Sequence, residues 1–121
     1  MSAKPSPSID RIEKPWGFEL VWAKTNQYVG KLLFIRAGES LSLQFHRKKM
    51  ETMYFESGEC IVDTGPSESE LRSVKFQSGD VFHIPPETLH RLKAVTDCRV
   101  FEVSTAHLDD VVRLQDKYGR T

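Results

Sequence analysis

The sequence predicts an all-β domain, a small barrel or sandwich, on three observations. Short runs of alternating apolar residues recur along most of the chain, and turn signals separate them. No stretch holds a 3.6-residue apolar period long enough for a helix. The length, 121 residues, suits one domain with one core.

The elements follow in order. Residues 1–12, beginning MSAKPSPSID, carry Pro and Ser without apolar period and read as an arm, mobile or docked on a partner subunit. Residues 13–121 form the barrel domain in this reading. In KPWG, Pro15 stiffens the chain, Gly17 permits a bend, and Trp16 can cover a barrel edge. FELVWA is a strand and KTNQ a turn; YVGKLLFIRAG is a strand ended at Ala37-Gly38. LSLQF and METMYFESG are strands joined by a basic bend, and Cys60-Ile61-Val62 continues the sheet. DTGPSESE reads as the longest turn. LRSVKF, VFHIP, His90–Ala94 and Arg99–Val103 read as the remaining strands, and LDDVVRLQDKYG as a helical turn or an irregular covering segment.

Composition narrows the function classes. Lys plus Arg and Asp plus Glu are 17 each, so net charge is zero and gives no footprint for nucleic acid or an acidic membrane. Hydrophobic content of 39% and charged content of 28% fit a globular domain. No run reaches membrane-span length and no signal-peptide apolar region opens the chain, so cytoplasmic residence is the expectation. The two cysteines, Cys60 and Cys98, form no CxxC pair and are expected to be free thiols packed as small apolar groups.

The chemistry concentrates in GESLSLQFHRKKMETMYFESG. At strand period Ser42, Gln44 and His46 share one face, and Leu41, Leu43 and Phe45 the other. Gln44 and His46 then have Cα atoms roughly 7 Å apart, close enough to converge on an ion bound at about 2 Å from each. Glu51 follows the bend, and His90 in GDVFHIPPETLH is the candidate fourth ligand. An amide oxygen, two imidazoles and a carboxylate suit zinc, iron(II), manganese, nickel or cobalt. His83 reads as half-buried or at the surface, with a place on the cavity rim if the strand phase is reversed, and His107 reads as exposed.

These residues resemble the cupin family. Its first motif is matched by Gly38, Gln44-x-His46, Glu51 and Gly58, with Gln44 where a His usually stands; its second by Gly79, Pro85, Glu87 in place of a Gly, His90, and Ala94 in place of an Asn. SLQFHRKKME is similar to the SLQ-x-H signature of the C-terminal domain of type II phosphomannose isomerases. KPWGFELV, IPPETLHRL and DDVVRLQDKYGR extend the likeness from Lys14 to Arg120. The resemblance implies a double-stranded β-helix, or jelly-roll barrel, a metal site at Gln44, His46, Glu51 and His90 that favours zinc, and an aldose–ketose isomerase acting on a sugar phosphate. In isomerases of this type the segment after the first His is histidine-rich. Here Arg47 and Lys48 replace that run and Lys49 keeps the basic position.

Isomerisation needs a general base and cations for the phosphate. Glu102, a carboxylate in the apolar VFEV strand, is the main candidate base, with Lys31 as a second catalytic candidate; Arg47 and Lys49 are the candidate substrate ligands. Arg36 and Arg91 read as surface charges. Two other classes remain open: an iron-dependent cupin dioxygenase of a small molecule, and a non-catalytic sugar-binding cupin. Unpaired strand edges suggest a homodimer closed across a two-fold axis, with the arm as a swapped strand.

Overall fold

The computed structural model describes residues 9–107 and 109–120. Its strands are β1 (Asp10–Lys14), β2 (Gly17–Lys24), β3 (Tyr28–Ile35), β4 (Leu43–Phe45), β5 (Glu51–Ser57), β6 (Glu59–Gly65), β7 (Arg72–Gln77), β8 (Val81–Ile84), β9 (Leu89–Ala94), β10 (Cys98–Thr105) and β11 (Val112–Gln115). One 3₁₀ turn, Glu68–Glu70, interrupts them, and no helix among the described residues is long and apolar enough to cross a membrane. The strands form two antiparallel sheets, in the orders β1-β2-β3-β10-β5-β8 and β11-β4-β9-β6-β7. This is the two-sheet jelly roll that the alternating pattern and the resemblance imply.

The inward side chains change chemistry along each strand. On β10 the row runs Cys98, Val100, Glu102, Ser104; on β5 it runs Phe55, Met53, Glu51; on β9, Ala94, Leu92, His90. At one end these residues build the apolar core with Trp16, Leu33, Ile35, Val62 and Ile84. At the other end they place charged groups in the same interior. Cys60 and Cys98 are free thiols within the core.

Three motif glycines sit where only a flexible backbone fits. Gly38, Gly58 and Gly79 have φ of 82°, 92° and 95°. At Gly58 a Cβ would also lie 2.2 Å from the Asp97 carbonyl oxygen. Glu87 stands where the cupin pattern has a Gly, and it keeps the left-handed conformation at φ 65°. Its backbone N–H donates to the His46 carbonyl at 2.6 Å, which ties the second motif to the first.

Three readings of the sequence change. Asp10–Ile12, assigned above to an arm, lie in β1 and pair with β2; residues 1–8 fall outside the described residues. Asp63, Thr64 and Gly65, assigned to a turn, extend β6 because Ser73 Oγ, Arg91 Nη2 and Lys93 Nζ hold the Asp63 carboxylate at 2.6, 2.9 and 3.0 Å. The tail, read as a helical turn or an irregular cover, contains β11, because β4 offers a free edge: Val112 pairs with Phe45 and Arg113 with Gln44.

Candidate metal centre

Backbone register brings the candidate ligands together. Gln44 on β4 pairs directly with His90 on β9, so both side chains leave the sheet on one face. His46 follows β4 and Glu51 opens β5 across the basic bend. Ligand-type atoms of His46, Glu51 and His90 all lie within 4.8 Å of one another, and all three residues are buried. His46 Nε2 is 3.5 Å from Glu51 Oε2, and His90 Nε2 is 3.2 Å from Glu51 Oε1. The two rings are 5.3 Å apart between centroids.

Hydrogen bonds fix the tautomers. His46 Nδ1 donates to the backbone carbonyl of Asp110. His90 Nδ1 donates to the carbonyl of Thr88 at 2.9 Å. A carbonyl can only accept, so the proton of each neutral ring sits on Nδ1, and each Nε2 turns a lone pair toward Glu51. His90 Nε2 has no hydrogen-bond partner among the described residues. Burial alone would push the Glu51 carboxyl up, but the Lys49 ammonium, with Nζ 3.1 Å from Oε2, holds it below the usual carboxylate range. Converging lone pairs on a buried anion, with both Nδ1–H groups anchored, are the donor set and outer-shell pattern of a metal site. The residues present therefore fit a divalent ion.

The centre opens into a cavity of about 120 Å³ lined in part by Gln44, His46, Glu51, Lys49, Lys31 and Glu102. Burial and the nearby Glu51 carboxylate push Glu102 up to about 7. Lys49 is buried; desolvation opposes its charge, but the Glu102 and Glu51 carboxylates outweigh that and raise its pKa. Lys31, in register with Glu102, has Nζ 3.3 Å from Glu19 Oε1.

Arg47, the other residue expected to bind substrate, does not line the cavity; it is exposed, with its guanidinium 5.4 Å from the Phe45 ring centroid. The Asp110 carboxylate explains this placement. It accepts the backbone N–H groups of Arg47, Lys48 and Lys49 at 3.1, 2.7 and 2.9 Å, curling the bend so that Lys49 turns in and Arg47 out. His83 and His107 are exposed, each bonded to a threonine hydroxyl, and Arg36 is exposed too. Arg91 is bound to Asp63.

The cavity wall also holds Glu19, Lys14, Arg113 and Arg120, none of which the sequence reading singled out. Glu19 carries the same signal as Glu102, a carboxylate in an apolar strand. Arg113 and Arg120 reach the wall through a tail whose strand was not recognised. With Lys31 and Lys49 they line the cavity beside Glu19, Glu51 and Glu102, and Arg120 is held by the Asp116 carboxylate at 2.9 Å.

Known proteins of similar sequence and structure agree with this architecture. The xanthan biosynthesis protein XanB of Xanthomonas campestris pv. campestris is 31% identical over 116 residues, which cover 92% of this chain and 24% of that protein. Mannose-1-phosphate guanylyltransferase RfbM of Salmonella typhimurium is 24% identical over 113 residues, covering 89% of this chain and 22% of that protein. The chain thus spans about a quarter of the length of these curated relatives. Among solved structures, oxalate decarboxylase of Lactobacillus farciminis in its formate complex superposes with a TM-score of 0.72 at 23% identity, over 88% of this chain and 33% of that one. KdgF from Halomonas sp. superposes with a TM-score of 0.69 at 21% identity, over 81% and 86%. Both likenesses speak for the fold, the cupin jelly roll. A family model described as mannose-6-phosphate isomerase C-terminal matches residues 6–116, and with the SLQ-x-H segment and its buried His–Glu–His cluster in place, the chain belongs to that cupin family.

Proposed function

We propose that the chain is a divalent-metal-dependent aldose–ketose isomerase acting on a sugar phosphate, with zinc as its ion. The observation that carries this reading is the pairing of a metal-type cluster with a second, non-ligand carboxyl, Glu102, poised near neutrality in the same cavity. Gln44, His46, Glu51 and His90 would hold the ion, which supplies Lewis-acid polarisation of the sugar carbonyl when bound.

The remaining chemistry belongs to the chain. Glu102 takes a proton from the carbon beside the carbonyl and returns it to the adjacent carbon; a carboxyl with a pKa of about 7 can both accept and release it at neutral pH. Lys31, held by Glu19, donates to the sugar oxygens as they gain charge. Lys49 and the cations of the cavity wall attract the phosphate. Trp16 and Leu33 close the apolar side of the cavity and limit water.

The test is a coupled aldose–ketose assay with mannose 6-phosphate, on protein loaded with zinc. Turnover is expected, and Glu102→Gln should lower kcat about a hundredfold or more while retaining the bound ion. Tight binding of the sugar phosphate without turnover would assign a sugar-binding module instead. Oxygen consumption by the iron-loaded protein with a small-molecule substrate would assign a dioxygenase.

A further inference from the structure

The tail grips the segment that carries Gln44 and His46 at its start, its middle and its end. At the end, the Asp110 backbone carbonyl accepts from His46 Nδ1, and the Asp110 carboxylate accepts from the N–H groups of Arg47, Lys48 and Lys49. In the middle, β11 runs along β4, with Val112, Arg113 and Gln115 paired to Phe45, Gln44 and Leu43. At the start, Tyr118 Oη donates to Glu39 Oε2 at 2.7 Å. Lys117 Nζ donates to Glu39 Oε1 and to the Gly38 carbonyl at 2.9 and 3.1 Å.

β4 depends on these holds. It is three residues long, and its register with β9 consists of the single pair Gln44–His90. With β11 gone, that one cross-strand pair would be left to fix the direction of the Gln44 amide. The His46 ring would lose the acceptor that keeps its proton on Nδ1 and its lone pair on Nε2.

The tail itself is lightly held. None of residues 109–120 is buried, whereas Ser42, Leu43 and His46 in the segment they flank are 2%, 0% and 5% exposed. Its grip consists of hydrogen bonds, ion pairs and a Tyr118 ring partly buried against the core. Segments held in this way open at a lower free energy than the body of a fold. Undocking would also take Val111, Arg113 and Arg120 off the cavity wall and open the metal centre.

We propose that residues 110–118 are a clasp whose docking is coupled to occupancy of the metal centre. The inference rests on the reading that the cluster binds a divalent ion. A docked clasp orients Gln44 and His46 in advance and so raises ion affinity. A bound ion fixes the His46 ring and so holds the clasp down, by the same factor. Asp110, Glu39 and Tyr118 are positioning residues: they act on the ion through His46 and β4. An edge strand with a purely structural role would show neither effect.

Amide hydrogen exchange of the full chain, first stripped and then loaded with zinc, tests this together with zinc affinity measured by competition with a chromophoric chelator. Zinc should slow exchange at residues 110–118 about tenfold or more, and leave β7, at the opposite edge of the same sheet, unchanged. The double substitution Glu39→Gln with Tyr118→Phe should weaken zinc binding about tenfold. Lys75→Ala, which removes an ion pair with Glu59 at that opposite edge, should bind zinc like the wild type. Asp110→Ala should also weaken binding, and Asp110→Asn, which keeps an acceptor for the bend, should recover part of the loss. The wild-type exchange comparison needs no substitution, so it stands even where a variant fails to fold. Zinc that binds without altering exchange in the tail overturns the clasp and leaves the metal centre standing. A folded double variant with wild-type affinity does the same. A wild type that takes up no zinc overturns the metal reading and the clasp together.

Discussion

Glu102 illustrates how a single residue can be read and where reading stops. A carboxylate among apolar strand residues signals an inward position, and the side chain is indeed buried against the cavity. Its elevated pKa was not legible, because it depends on how deeply the fold buries the carboxyl and then on Glu51, which is distant in sequence and adjacent in register through Met53. The consequence for stability has a defined sign. Below the ordinary value of 4.5 the carboxyl is protonated in both folded and unfolded chains, and the folded state bears no penalty. Between 4.5 and about 7 the unfolded chain ionises while the folded one does not, so stability falls as pH rises. Metal-free wild-type protein should therefore lose denaturation midpoint across that window, and Glu102→Gln should show a flatter curve. Parallel urea titrations of the two proteins at several pH values measure it; identical curves would contradict the account. His46, Glu51 and His90 were legible from their spacing together with the cupin resemblance, and the fold brings these three together. The partners that orient the imidazoles were not, since Asp110 and Thr88 contribute backbone carbonyls that any residue could supply.

At the scale of elements, most strands follow the period-two pattern, and the errors have local causes. β11 is four residues long and half of it is partly exposed, so it carries no alternation of its own; pairing with β4 makes it a strand. The end of β6 looked like a turn because Asp63 and Gly65 are turn residues, but two cations and a hydroxyl neutralise the buried carboxylate. The basic bend has a similar explanation. Asp110 reaches back from the tail to gather its backbone N–H groups, and those bonds depress the carboxyl to about 2. A depressed carboxyl stabilises the fold above its ordinary value of 3.8, and that contribution is lost as pH falls through about 2. Asp110→Ala should free the bend: amide hydrogen exchange at residues 47–49 should accelerate about tenfold or more, and the wild-type advantage should shrink as pH falls from 3.8 toward 2. Exchange rates unchanged by the substitution would show that the bend holds without the aspartate.

For the molecule as a whole, the fold sets an apolar core and a charged cavity end to end inside one jelly roll, and the ligand cluster sits at their boundary. The apolar end supplies rigidity, which keeps two imidazoles and a carboxylate aimed at one point despite their mutual repulsion without a cation. Global class and metal motif were legible because both rest on short periods and fixed spacings. The cationic cavity wall was less so, because Lys14, Arg113 and Arg120 meet only when the first and last strands close the two sheets. Every functional statement above depends on that cluster binding an ion. The direct measurement is the metal content of protein purified without chelator, followed by titration calorimetry of the stripped protein with zinc, manganese, iron(II), nickel and cobalt. The account predicts one divalent ion per chain in the wild type, and none in Glu51→Gln with its strand content preserved. A wild type that takes up none of these ions, or a Glu51→Gln protein that binds one as tightly, would contradict it.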